Sequence, residues 1–108
     1  MWVATLSWRL GGAYVRLVAT FLIETYLSRE RAADMEAQAA RLVDAIAEIV
    51  AVGGSGRSLH LRHVRSFFVA DDETCCHVIE SPSMDVVEEL ARRAGLTPDR
   101  VVEASSAG

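Results

Sequence analysis

A β-α-β-β-α-β order, an α+β domain with a four-stranded antiparallel sheet, is what this sequence predicts on three observations. Four short segments are β-branched or alternate with period two, and two longer ones repeat apolar residues every three or four positions. Each helical pattern lies between two strand patterns. Only the polar stretch Asp71–Thr74 separates the second and third strands, so these must turn straight back on each other as a hairpin.

Residues 1–17 stand apart. They hold Trp2, Trp8, Arg9, Arg16 and the break Gly11-Gly12, with no acid, and Arg9 interrupts the apolar stretch a secretory signal would need. They are expected to form a flexible arm or extension ahead of a domain spanning 18–104. In Val18–Leu27 the residues Phe21, Ile23 and Thr25 face one way, and Leu22, Glu24 and Tyr26 the other. Ser28 suits an N-cap, with Glu30 in the first turn. A helix over Arg31–Ala51 follows, with Met35, Ala39, Leu42, Val43, Ile46, Ile49 and Val50 as its apolar stripe. Gly53-Gly54-Ser55-Gly56 stops it in a loop.

Leu59–Ala70 is the second strand and Cys75–Ser81 the third. Ser83 is placed to cap a second helix, with Asp85 at its positive end and Val86, Val87, Leu90, Ala91 and Ala94 as its buried stripe. Gly95 occupies the C′ position, after which Thr97-Pro98-Asp99 turns the chain into a last strand, Arg100–Ala104. The tail 105–108 should fray. This is the ferredoxin-like, or split-βαβ, arrangement, whose right-handed crossovers put both helices on one sheet face.

Composition excludes several functions. The chain has 108 residues and a net charge of −4, with 11 basic residues against 15 acidic. That size fits one domain, and the charge argues against a nucleic-acid partner. No apolar run reaches the ~18–20 residues of a membrane span. Cys75 and Cys76 are adjacent, so a disulfide between them would be strained. Both read as free thiols of a reducing, cytoplasmic compartment.

The sheet face away from the helices is bare in one chain, about 380 Å² in projection. Simple alternation puts Leu22, Glu24 and Tyr26 there together with His63, Arg65 and Phe67. Such a mixture predicts a two-fold homodimer, an α+β barrel with polar residues in a cleft between the sheets. A hairpin turn centred on Asp72-Glu73 would set Phe67 opposite Val78 and Arg65 opposite Glu80. Cys76 would then face the cleft, and Cys75 and His77 the helices; a one-residue slip exchanges the two sets.

The strand FLIETYL, the segment Val64–Ser83 with its DDETC, and the closing AGLTPDRVVEA resemble one family. It comprises small bacterial proteins of largely unknown function and includes an actinobacterial nickel-binding protein. The resemblance covers about residues 20–104. It implies a ferredoxin-like fold, a homodimer and Ni(II) binding, with no established reaction.

Ni(II) accepts imidazole, thiolate and carboxylate ligands, and His60, His63, His77, Cys75, Cys76, Glu24 and Glu80 are the residues that could supply them. None forms a diagnostic metal motif. His60 and His63, three apart on a strand, fall on opposite faces. The expected ligands are His63, Glu24, Glu80 and Cys76, with Tyr26, Arg65 and Phe67 lining the cleft. The alternative is a cofactor-independent isomerase or monooxygenase-like enzyme, with Glu24 and His63 as an acid–base pair toward a small molecule. A plainer reading pairs Glu24 with Arg65 as a structural ion pair. Cys76 has no orienting triad in the sequence, and Gly53-Gly54-Ser55-Gly56 follows a helix, the wrong order for a phosphate loop.

Overall fold

The computed structural model describes residues 7–10, 13–16, 18–52 and 59–105. The expected loop at 53–56 and the end of the tail lie outside the described residues. Within the segment expected as an arm, β1 (Ser7–Leu10) and β2 (Ala13–Arg16) pair as a hairpin, Ser7 opposite Arg16 and Leu10 opposite Ala13. This two-stranded sheet is separate from the main one, and the rest of that segment lies outside the described residues.

The domain itself runs β3 (Ala19–Tyr26), α1 (Asp34–Val52), β4 (Arg62–Val69), β5 (Thr74–Ser81), α2 (Met84–Arg93) and β6 (Arg100–Ala104). The expected β-α-β-β-α-β order is therefore observed, with a sheet in the spatial order β4-β5-β3-β6, antiparallel throughout. Both helices cover one face: α1 packs on β4, α2 on β3, β5 and β6, and the helices touch each other.

Local chemistry explains most boundaries. Ser28 opens a short 3-10 turn, Arg29–Arg31, rather than the α-helix, and its side chain makes no capping bond. Arg31 N donates to Ser28 O instead, at 2.9 Å, and α1 begins at Asp34. Ser83 does cap α2, its hydroxyl accepting from Val86 N at 3.3 Å. Gly95 adopts φ +75, which lets Leu96 N bond Ala91 O at 2.9 Å and close the helix end.

Phe21, Ile23, Leu42, Ala45, Ile79, Val87 and Leu90 form the core between sheet and helices. The α1 stripe is narrower than its spacing predicts. Val43 and Val50 are exposed, whereas Leu42 and Ala45 are buried and Ile46 and Ile49 pack against the core. At 100° per residue, Val43 and Val50 lie one step round from Leu42 and Ile49, past the edge of the contact.

Ile79 is fully buried at the centre of β5, so Ile79→Ala should cost about 2–5 kcal/mol by lost transfer energy and a residual cavity. Urea unfolding checks this; a loss below about 1 kcal/mol would mean the core collapses around the deletion.

Candidate functional site

The helix-free face is fixed by the pairing registers. Glu24 on β3 stands opposite Cys76 on β5 and Arg100 on β6, and Leu22 opposite Val78 and Val102. On β4, Arg65 faces Val78 and Phe67 faces Cys76. Cys76 therefore belongs to this face, with Cys75 and His77 under the helices, fully buried.

The hairpin register differs from the expected one by two residues. The turn is Ala70–Glu73, centred on Asp71-Asp72, so Phe67 opposes Cys76 rather than Val78, and Arg65 opposes Val78 rather than Glu80. Glu73 sets this turn. It takes φ +48, its carbonyl accepts from Leu27 N at 2.8 Å, and its carboxylate accepts from Arg29 N at 2.9 Å and Tyr26 Oη at 3.3 Å. A shift of two keeps every side chain on its face and changes only its partner.

A β-bulge does what that shift does not. Ladder partners jump between His63, opposite Ile79, and Arg65, opposite Val78, leaving Val64 as the extra residue. His63 is thereby turned to the helix side, and simple alternation, which placed it in the cleft with Arg65 and Phe67, is corrected. Glu24 and His63 stand on opposite sheet faces, so the expected acid–base pair does not assemble.

Both expected ion pairs are also corrected. Glu24 binds Arg100, Nε to Oε1 at 3.1 Å, because β6 is the neighbour of β3 whereas β5 separates β3 from Arg65 on β4. Glu80 is held by Arg62, at 3.1 and 3.2 Å, and by His60 at 2.9 Å. The Arg62 guanidinium and then His60 keep the Glu80 carboxyl below its ordinary range, although burial opposes this. Arg65 has neither ion pair nor hydrogen bond among the described residues.

Of the four expected metal ligands, the fold brings Glu24 and Cys76 together as cross-strand neighbours. Glu80 lies further along β5, bound to Arg62 and His60, and His63 is on the other face. Among the described residues no three His, Cys, Asp or Glu side chains are grouped to hold one metal ion. The four do not fit nickel as one site within a single chain. Burial, and then the Glu24 carboxylate, push the Cys76 thiol up.

Beneath the helices lies a polar chain that sequence reasoning missed. Ser66 Oγ sits 2.8 Å from His63 Nε2 and 2.6 Å from His77 Nδ1. His77 Nε2 lies 2.8 Å from Gln38 Oε1 on α1, which also accepts from Thr25 Oγ1 at 3.3 Å. A carbonyl oxygen only accepts, so His77 carries its proton on Nε2 and Ser66 donates to Nδ1. Cys75 Sγ is 3.4 Å from the same Nε2. Burial raises the Cys75 thiol, which leaves it protonated and unreactive at neutral pH. Gln38 carried a signal: three after Met35 and four before Leu42, it is a polar residue at an apolar position of the α1 stripe.

No family model, curated protein or solved structure matches this chain. Its site is therefore read from its own geometry. The helix-free face holds a groove of about 290 Å³ with Leu22, Val64, Phe67 and Val78 as apolar walls. Thr20, Arg65 and Glu80 supply its polar groups, and Ala104 and Ser105 close the β6 side. Among the described residues no helix is long and apolar enough to cross a membrane.

Burial, with the charges of His63 and Arg41, pushes His77 from 6.5 down to about 4, and burial lowers His63 as well. Between those pH values the unfolded chain takes up the proton that the folded chain refuses. Stability from this source is complete above pH 6.5 and is lost as pH falls toward 4, on the order of 2–3 kcal/mol for His77. Urea midpoints measured from pH 7 to 4.5 should fall, and the fall should shrink by about half or more in His77→Gln. An unchanged slope in that variant would place the titration elsewhere.

Proposed function

We propose that the chain binds a small organic molecule on its helix-free sheet face, and that a second copy closes the site face to face as an α+β barrel. The groove carries this reading. Its volume, about 290 Å³, is close to the ~300 Å³ at which ordinary ligand pockets begin, and its mixture of apolar walls with a few polar groups is typical of them. Such pockets bury ~70–90% of their ligand. Both helices lie on the other face, so neither covers this groove. Tyr26, 62% exposed, and Phe67, 41% exposed, stand on the same face and would be covered by a two-fold partner.

Nickel is the second reading, favoured by one observation: Glu24 and Cys76 are direct cross-strand neighbours. Two such pairs, one from each copy, would supply the carboxylate and thiolate ligands that a single chain does not gather.

Sedimentation equilibrium should give twice the chain mass, and Phe67→Glu should shift it to the monomer while leaving the circular dichroism unchanged. A wild-type monomer at high protein concentration would remove the face-to-face closure. Calorimetric titration of untagged protein with nickel chloride separates the two readings. The second expects about one ion per dimer, lost in Cys76→Ser, and absence of heat would end it.

A further inference from the structure

We infer that the groove takes a small monocarboxylate with an apolar body, held at its charged end by Arg65 and by the hydroxyl of Thr20. This rests on the reading of the groove as a ligand site and names what that site would select.

The charge inventory of the face comes first. Each carboxylate that faces the groove or adjoins it is already engaged: Glu80 by Arg62 and His60, Glu24 by Arg100. Arg65 lines the groove among Leu22, Val64, Phe67 and Val78, and among the described residues it has no acidic partner. Arg65 is exposed in one chain. A second copy closing over the face would take its guanidinium out of water, where it needs an anion, and its planar fork matches a carboxylate through two parallel hydrogen bonds. The missing anion is therefore the groove's most specific demand.

A second, independent observation comes from β3. Thr20 is 7% exposed and lines the same groove, yet its Oγ1 is shut off from water and has no hydrogen-bond partner among the described residues. A buried hydroxyl left without a partner is destabilising, so its presence calls for a function. The oxygen is enclosed, so a ligand in the groove meets it only after Thr20 turns about χ1. One χ1 step exchanges methyl and hydroxyl and turns the oxygen toward a ligand.

The class of anion follows from what else is present. The Arg65 guanidinium balances one charge, among the described residues no helix N-terminus lines the groove, and Glu80 stands within it as a fixed negative group. These features disfavour a phosphate ester or a dicarboxylate and suit a singly charged acid. The apolar walls supply the remaining surface, which an aryl or alkyl chain would cover.

Isothermal titration of the full chain with 3-phenylpropanoate and with octanoate, each against its uncharged amide, tests the inference. Both acids should bind at least about tenfold more tightly than their amides. Arg65→Gln should abolish that preference with no change in Tm, since the side chain is exposed. Thr20→Val, which keeps shape and removes the hydroxyl, should weaken acid binding severalfold while raising Tm. Equal affinity for acid and amide, or a preference that survives Arg65→Gln, overturns the carboxylate assignment and leaves the ligand groove standing. Unchanged acid binding with an unraised Tm in Thr20→Val removes Thr20 from the site. Failure of all four compounds to bind up to their solubility overturns the groove reading itself.

Discussion

An imidazole buried at the middle of a sheet must find a partner for each ring nitrogen, and this requirement organises the interior of the domain. His77 is fully enclosed on β5, the strand that pairs with both β3 and β4. Its two nitrogens are satisfied from different elements, Ser66 on β4 and Gln38 on α1. The first bond ties the hairpin together, and the second ties the sheet to the helix above it. Ser66 in turn accepts from His63, which reaches it because the bulge at Val64 rotates the start of β4 by one residue. Remove the imidazole, and Gln38 of α1 and Ser66 of β4 lose their common partner.

The same bulge shapes the opposite face. By turning His63 inward it leaves Val64 and Arg65 on the groove side, so an apolar residue and a cation stand where alternation would have put an imidazole and a cation. Sheet order completes the effect. With β5 between β4 and β3, Arg65 is not a ladder neighbour of Glu24, which pairs instead with Arg100 across the β3–β6 ladder. Glu80 is drawn to Arg62 for the same geometric reason, because these two are ladder partners beyond the bulge. Two separate consequences of backbone geometry thus leave the Arg65 guanidinium without a counter-ion among the described residues.

Stability and recognition part company at Thr20 and Arg65. Under the helices, His77, Cys75 and Gln38 find partners in one another within the chain. Among the described residues the other face keeps the enclosed Thr20 hydroxyl without a partner and Arg65 without an ion pair, neither of which helps a single chain to fold. Features that do not serve the fold are where a binding role is most economically sought.

Periodicity and punctuation made the architecture legible. Alternation marked the strands, the three-to-four spacing marked the helices, and Ser83 and Gly95 marked the ends of α2, because these signals depend on neighbours within a few residues. Which face each strand buries was legible too, up to the bulge, since parity survives a two-residue shift in register. The candidate site was not legible to the same depth. Nothing in LHLRHVRSFF announces that one residue drops out of the ladder at Val64, and that single step decides whether His63 joins the cleft or the core. Ion-pair partners depended on strand order, and the link from His77 to Gln38 spans 39 residues. The chain alone determined the elements of the domain from residue 18 onward and their order, through local backbone preference; tertiary pairing decided the site, because contacts between distant strands choose which charges meet.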